Sequence, residues 1–286
     1  TDSNVTLVAK WTANSYKATY NANGGSVSSS NKNYTYDANY TLLEPTRTGY
    51  EFLGWYKDGT LVPSTGTWKF DTDISLIAEW KACVYTVTYD AGVGTSSQTS
   101  AQATYDSNFT LATAERVGYK FDAWYYNGTK YESGIWKTDK SITLTAKWTA
   151  RTDIEYVVNH HQQNANDDDY TIVDTEKLKG TADATIKPSV KTYTHFVSPD
   201  AKEFTISPDG KLVVNYYYNR VTYDLTYVTN GGETISKQTY KYAQTLVVAT
   251  PSRTGYTFGG WFTDKALQNE YSATATLNAN TTIYAY

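Results

Sequence analysis

Pro45-Thr46-Arg47-Thr48-Gly49-Tyr50-Glu51-Phe52-Leu53-Gly54-Trp55 is the stretch whose reading decides the fold, because it returns twice in the same chain of 286 residues. Ala114-Glu115-Arg116-Val117-Gly118-Tyr119-Lys120-Phe121-Asp122-Ala123-Trp124 and Pro251-Ser252-Arg253-Thr254-Gly255-Tyr256-Thr257-Phe258-Gly259-Gly260-Trp261 keep Arg, Gly, Tyr, Phe and Trp at the same spacing. Recurrence in fixed order marks a repeat architecture, in which each copy is one small structural unit. In an extended chain Tyr50 and Phe52 face one way and Leu53 and Trp55 the other, unless a bulge at Gly54 resets the register.

The same flanking elements surround each box. Upstream lie Tyr16–Tyr20, Tyr85–Tyr89 and Tyr223–Tyr227, which alternate large and small residues at period two, as a strand with one buried face does. The turns Asn23-Gly24-Gly25, Gly92-Val93-Gly94 and Asn230-Gly231-Gly232 follow, and Asn-Gly and Gly-Gly tolerate the positive φ of tight hairpins. Tyr36 with Leu42, Tyr105 with Leu111 and Tyr240 with Leu246 come next at equal spacing. Downstream, Ile74-Ser75-Leu76-Ile77-Ala78-Glu79-Trp80 and Ile142-Thr143-Leu144-Thr145-Ala146-Lys147-Trp148 read as closing strands, and Thr281–Tyr286 carries the same pattern. Val5-Thr6-Leu7-Val8-Ala9-Lys10-Trp11 matches it too, so residues 1–11 are expected to be the closing strand of a preceding repeat.

Residues 154–219 follow a different pattern at a similar length. Ile154–His160 and Tyr170–Asp174 flank the acidic turn Asp167-Asp168-Asp169, and Pro208-Asp209-Gly210 turns the chain into Leu212–Tyr218. Alternation places Val214, Tyr216 and Tyr218 on one face and Tyr217 on the other. The expected domains are therefore 1–11, 16–80, 85–148, 154–219 and 223–286, joined by connectors too short to be flexible linkers.

Composition agrees with strands. The chain has 28 Tyr, 8 Trp and 8 Phe, and aromatic and β-branched side chains suit a pleated, half-buried surface. Twenty-nine acidic against 25 basic residues leave a net charge of −4 without a basic stripe, which argues against nucleic acid. No run reaches the roughly 18 apolar residues of a membrane span, so no membrane insertion is expected. Cys83 is the single cysteine and forms no internal bridge.

The three boxed copies, at 16–80, 85–148 and 223–286, resemble the Listeria–Bacteroides repeat, also called the internalin B-repeat. Copy two departs from it at Ala114, Ala123 and Gly92-Val93-Gly94. Residues 154–219 resemble a MucBP (mucin-binding-protein) type repeat through Tyr156–His160, Lys177–Gly180 and Val214–Tyr218. Both resemblances imply a mainly β fold of α+β, β-grasp (ubiquitin-like) type, four small modules in an elongated rod. They also imply a secreted protein at the cell surface of a Gram-positive bacterium, attached to the cell wall.

No set of acids, bases and nucleophiles converges as an enzyme needs, so neither enzyme activity nor a cofactor is expected. His160 and His161 are neighbours on a strand and point apart, His195 sits alone, and the Asp167–Asp169 run lacks calcium-loop spacing, so no metal site is expected. Arg47, Arg116 and Arg253 are placed to stack on nearby rings. Trp55, Trp124 and Trp261 are read first as core and second as partner-binding rings, and Tyr217 is the best single candidate for an exposed contact. The function expected is the stalk of a bacterial adhesin, a monomer spanning on the order of 100 Å that projects a distal binding domain. The alternative is a multivalent array that itself binds host cell-surface protein, mucin or polysaccharide.

Overall fold

The computed structural model describes residues 4–272, 274 and 276–286. Every regular element among them is a β-strand. The chain divides into two compact units, one running to Arg116 and taking in Phe121–Trp148, the other made of Val117–Lys120 and Thr149–Tyr286. Each unit contains two separate hydrophobic cores.

In the first unit, the first core is built by β1 (Ser15–Asn21), β2 (Asn31–Thr35), β3 (Asn39–Thr41), β4 (Tyr50–Lys57), β5 (Thr60–Val62), β6 (Thr65–Thr67) and β7 (Ile74–Ala82). The main sheet runs β2-β1-β7-β4-β5, and β3 pairs with β6 apart from it. The closing strand β7 is central, parallel to β1 and antiparallel to β4. Its inward Ile74, Leu76 and Ala78 are buried as the alternation requires. The ladder between β4 and β7 shifts register between Phe52 and Gly54, so the bulge considered from sequence is present. Phe52 and Trp55 thereby reach the same core, their ring centroids 5.6 Å apart, while Leu53 is 46% exposed. Gly54 has φ +147°, a backbone region that favours glycine, and a Cβ there would stand 2.3 Å from the Leu61 side chain, which would have to move.

The second core repeats the order, with Ser100–Thr104, Val84–Asp90, Ile142–Ala150, Tyr119–Tyr126 and Thr129–Tyr131 as neighbours. In the second unit, Tyr170–Gly180, Ile154–Gln163, Val213–Arg220 and Phe196–Val197 form the third sheet, and Ile154–Gln163 runs parallel to Val213–Arg220. Residues 154–219 thus reach the mixed sheet of the boxed copies from a different sequence. The fourth sheet orders Gln238–Lys241, Thr222–Val228, Thr281–Ala285 and Trp261–Phe262.

Two sequence expectations are corrected. The α+β class calls for a helix, and none forms among the described residues. Between β2 and β4, Tyr40 and Leu42 alternate inward and Pro45 supplies no backbone donor, so that segment stays extended. Residues 4–14 form no strand, and Val5, Leu7, Val8 and Trp11 are exposed. The residues of the expected closing strand, Val5–Trp11, pair with no strand described here, and residues 1–3 lie outside the described residues. Finally, Tyr240 is not the counterpart of Tyr36. Tyr16 pairs with Tyr34 and Tyr223 with Tyr240, so Tyr240 matches Tyr34 and Tyr242 matches Tyr36.

Candidate functional site

The three boxed Trp residues are core and offer no surface to a partner. Trp55, Trp124 and Trp261 are 2%, 1% and 6% exposed, and their indole N–H groups donate to Leu43, Ala112 and Ala249 carbonyls at 2.6, 2.7 and 2.8 Å. Aromatic area is consumed because small domains without disulfides need every large ring for burial. Tyr217 is 48% exposed, stacked on His161 at 4.6 Å and edge-on to Tyr170 at 5.1 Å. His160 is fully buried, bonded to the Tyr218 hydroxyl at 2.8 Å. No group of three or more His, Cys, Asp or Glu suited to a metal occurs among the described residues. The Asp167–Asp169 turn instead engages Lys241, which donates to Asp168 at 2.9 Å.

The box has a second role at its Arg-x-Gly-Tyr turn. The Arg47 guanidinium lies 3.7 Å from the centre of the Tyr50 ring and donates to the Asn23 carbonyl at 3.1 Å. The cation–π stacking expected of this Arg is therefore present, and it braces the turn against the Asn23-Gly24-Gly25 hairpin. Braced in this way, the turn faces the second core of the same unit. The Tyr50 hydroxyl donates to Asp106 at 2.7 Å, and the Tyr50 ring meets Tyr105 edge-on at 5.7 Å. Asp106 sits at φ 61° and is ion-paired with Lys137.

A backbone relay completes the junction. Cys83 N–H donates to the Gly49 carbonyl at 2.9 Å, and the Cys83 carbonyl accepts from Tyr105 N–H at 3.0 Å. The relay recurs twice within the second unit. Arg151 bonds Gly118 and Ala182, both at 2.9 Å, and Tyr119 donates its hydroxyl to Asp183. Val221 bonds His195 at 2.9 Å and Tyr242 at 2.8 Å. His195 takes φ 65°, near the 78° and 75° of Gly49 and Gly118, and its ring stacks on Tyr242 at 4.0 Å. Sequence reading missed these junctions. The signal was present, since Tyr36-Asp37 and Tyr105-Asp106 each precede a Trp-Lys pair by nearly the same interval, 32 residues from Asp37 to Lys69 and 31 from Asp106 to Lys137, but the spacing does not say that the two meet.

Charge at the first junction is set by local partners. The Lys137 ammonium, then the Tyr50 hydroxyl, hold the Asp106 carboxyl below its usual range, and the bond to Asp106 raises the Tyr50 phenol. A depressed carboxylate contributes stability above its unfolded pKa of about 3.9, lost as pH falls through the folded value. A raised phenol contributes below its unfolded pKa of about 10, lost as pH rises through the folded value. The junction is thus expected to loosen in acid below about pH 4 and again in strong alkali. Tyr50 and Tyr105 ring resonances followed against pH should show both limbs, with the acid limb removed in Asp106→Asn.

Compared with models of known families, residues 16–79, 85–147 and 223–286 match the Listeria-Bacteroides repeat domain. The chain belongs to the Listeria-Bacteroides repeat family. Among its relatives, a protein named as a Gly-rich membrane protein of Evansella cellulosilytica is 29% identical over 283 residues, covering 92% of this chain and 31% of its own length. A second protein of that organism, named as a membrane protein, is 34% identical over 169 residues, with 55% of this chain and 25% of its own length covered. Internalin H of Listeria monocytogenes is 33% identical over 149 residues, covering 47% of this chain and 25% of its own length. The chain spans about a quarter to a third of the length of these curated relatives. It is a repeat region similar to proteins named for the membrane or as internalins, and the Listeria-Bacteroides repeats account for three of its four cores.

Proposed function

We propose that this Listeria-Bacteroides repeat chain is a non-catalytic, semi-rigid stalk of a Gram-positive, wall-attached bacterial adhesin, carrying a distal binding domain away from the cell. In this reading each core is a β-grasp-like module whose helix is replaced by extended chain, and residues 154–219 are a MucBP-like module. The observation that carries the proposal is the recurring junction, in which a connector of a few residues is tied by backbone bonds to the elements before and after it. Paired backbone groups and a ring against a left-handed turn resist bending more than a solvated linker does.

Small-angle scattering at low concentration is the test. A semi-rigid stalk is expected to give a radius of gyration well above the ~19 Å of one compact globule of this length. A value near that figure, or the broad featureless profile of a flexible chain, would remove the stalk role. The alternative, a binding array for host protein, mucin or polysaccharide, is favoured by one feature only, the half-exposed Tyr217 platform.

A further inference from the structure

The second copy carries a cleft of about 590 Å³ between its box hairpin, Tyr119–Tyr126 with Thr129–Tyr131, and the short pair Asn108–Phe109 with Gly134–Ile135. All of its residues belong to the first unit. Trp136 and Phe109 form the floor, 1% and 8% exposed, with ring centroids 5.1 Å apart. Half-buried Tyr126 and Tyr131 form the walls. The Tyr131 ring lies 5.6 Å from Trp136, and its hydroxyl is bonded to the Thr138 hydroxyl at 3.0 Å. On the rim, Lys130 donates to Glu132 at 2.9 Å, and Lys137 is paired with Asp106.

The first copy has the same cleft, about 580 Å³, with different chemistry. Val62 faces Trp55 across its hairpin as Tyr131 faces Trp124, so Val62 stands in the place of Tyr131. By the same register Lys57 stands for Tyr126 and Leu61 for Lys130, while Phe70 follows Trp68 as Thr138 follows Trp136. Val62 is 6% exposed and packs in the first core without a hydroxyl. Packing therefore does not call for Tyr126, Tyr131 or Thr138. In the second copy they add rings and hydroxyls to a concavity that the fold provides in either case.

A concavity of several hundred Å³ with a few convergent polar groups has the size of a small-ligand site. The charges on this rim are paired with one another or with Asp106, so no unpaired charge is offered to a charged ligand. Rings beside hydroxyls suit a molecule with an apolar C–H face and hydroxyls around its edge. We infer that the cleft of the second copy binds a neutral saccharide. One sugar ring lies against Tyr126 and Tyr131, and its hydroxyls bond Thr138 and the Lys130–Glu132 pair. A stalk carrying this site would hold a sugar at its second core, and neither property requires the other.

NMR titration of the full chain with cellotetraose, maltotetraose and triacetylchitotriose, each to about 10 mM, tests this. At least one should give saturable shifts at Tyr126, Tyr131 and Thr138, with a millimolar or tighter dissociation constant. Tyr131→Val and Tyr126→Lys place in the second copy the residues that the first copy carries there, so the fold should survive, as unchanged Leu144 resonances would report. Each should weaken binding by about tenfold or more. Shifts that persist in both variants, shifts confined to Tyr217 and His161, stronger binding of the acidic trigalacturonate, or no shift from any of the three neutral sugars would each overturn the proposal. None of these outcomes alters the radius of gyration, so cleft and stalk stand or fall separately.

Discussion

Replacing Trp124 by Ala is expected to cost about 3–5 kcal/mol and to unfold the second core while the third and fourth keep their transitions. The ring is 1% exposed and packs on Tyr89 at 4.8 Å and Phe121 at 5.4 Å. Its loss opens a cavity and also leaves the Ala112 carbonyl without the indole donor at 2.7 Å. The cores share no buried side chain, so nothing obliges the damage to spread through packing. Calorimetry should show one transition moved and the rest in place. A single transition that moves as a whole would mean that the cores melt as one body.

The second large effect is expected at Gly49. In Gly49→Ala the new methyl is forced against the Tyr105 ring at φ 78°, a backbone region that costs a side chain on the order of 1–3 kcal/mol before the clash is counted. Both cores should keep their folds, because Gly49 belongs to neither, and the junction should open. Hydrogen exchange reads this directly, since Cys83 N–H is held by the Gly49 carbonyl at 2.9 Å and should lose protection while the Leu76 and Leu144 amides retain theirs. Gly255→Ala separates the two terms, for it carries the same backbone strain at φ 80° with open space around it. Equal losses in the two variants would show that strain alone, and not the junction, explains the first.

Copy two shows how a departure from the repeat pattern is absorbed. Gly92 stands where the first copy has Asn23, so the side-chain bond from Asn23 to the Ala78 carbonyl at 3.1 Å has no counterpart there. The indole of Trp148 still donates to Ala91 at 3.2 Å, as Trp80 does to Ala22 at 2.9 Å, and keeps the turn closed. The hairpin therefore tolerates loss of one anchor because a second, from the closing strand, remains. At the third junction, His195 replaces glycine at positive φ, and its ring supplies the contact on Tyr242 that Gly49 leaves to Tyr50 on Tyr105.

Local pattern decided a good deal. Period-two alternation settled that Ile74, Leu76 and Ala78 point inward and that Tyr217 points away from Tyr216 and Tyr218. Fixed spacing settled that three copies share one box, and the Arg–Tyr stacking followed from residues three apart on one turn. Such relations are carried by neighbouring backbone and need no knowledge of where the chain returns. Two large core residues, Trp68 and Trp136, passed unnoticed, because neither belongs to an alternating apolar run and only a distant ring, Tyr34 or Phe109, reveals it as buried. The shift of Tyr240 to the place of Tyr34 has the same origin, since equal spacing along the chain does not fix which residue faces which across a hairpin. Tertiary structure alone decided that the closing strand is the central one, that no helix crosses the sheet among the described residues, and that a turn from one core meets an aspartate of the next. Each of these depends on contacts between segments far apart in sequence, whose loop-closure cost is repaid only by burial and pairing that no single stretch encodes.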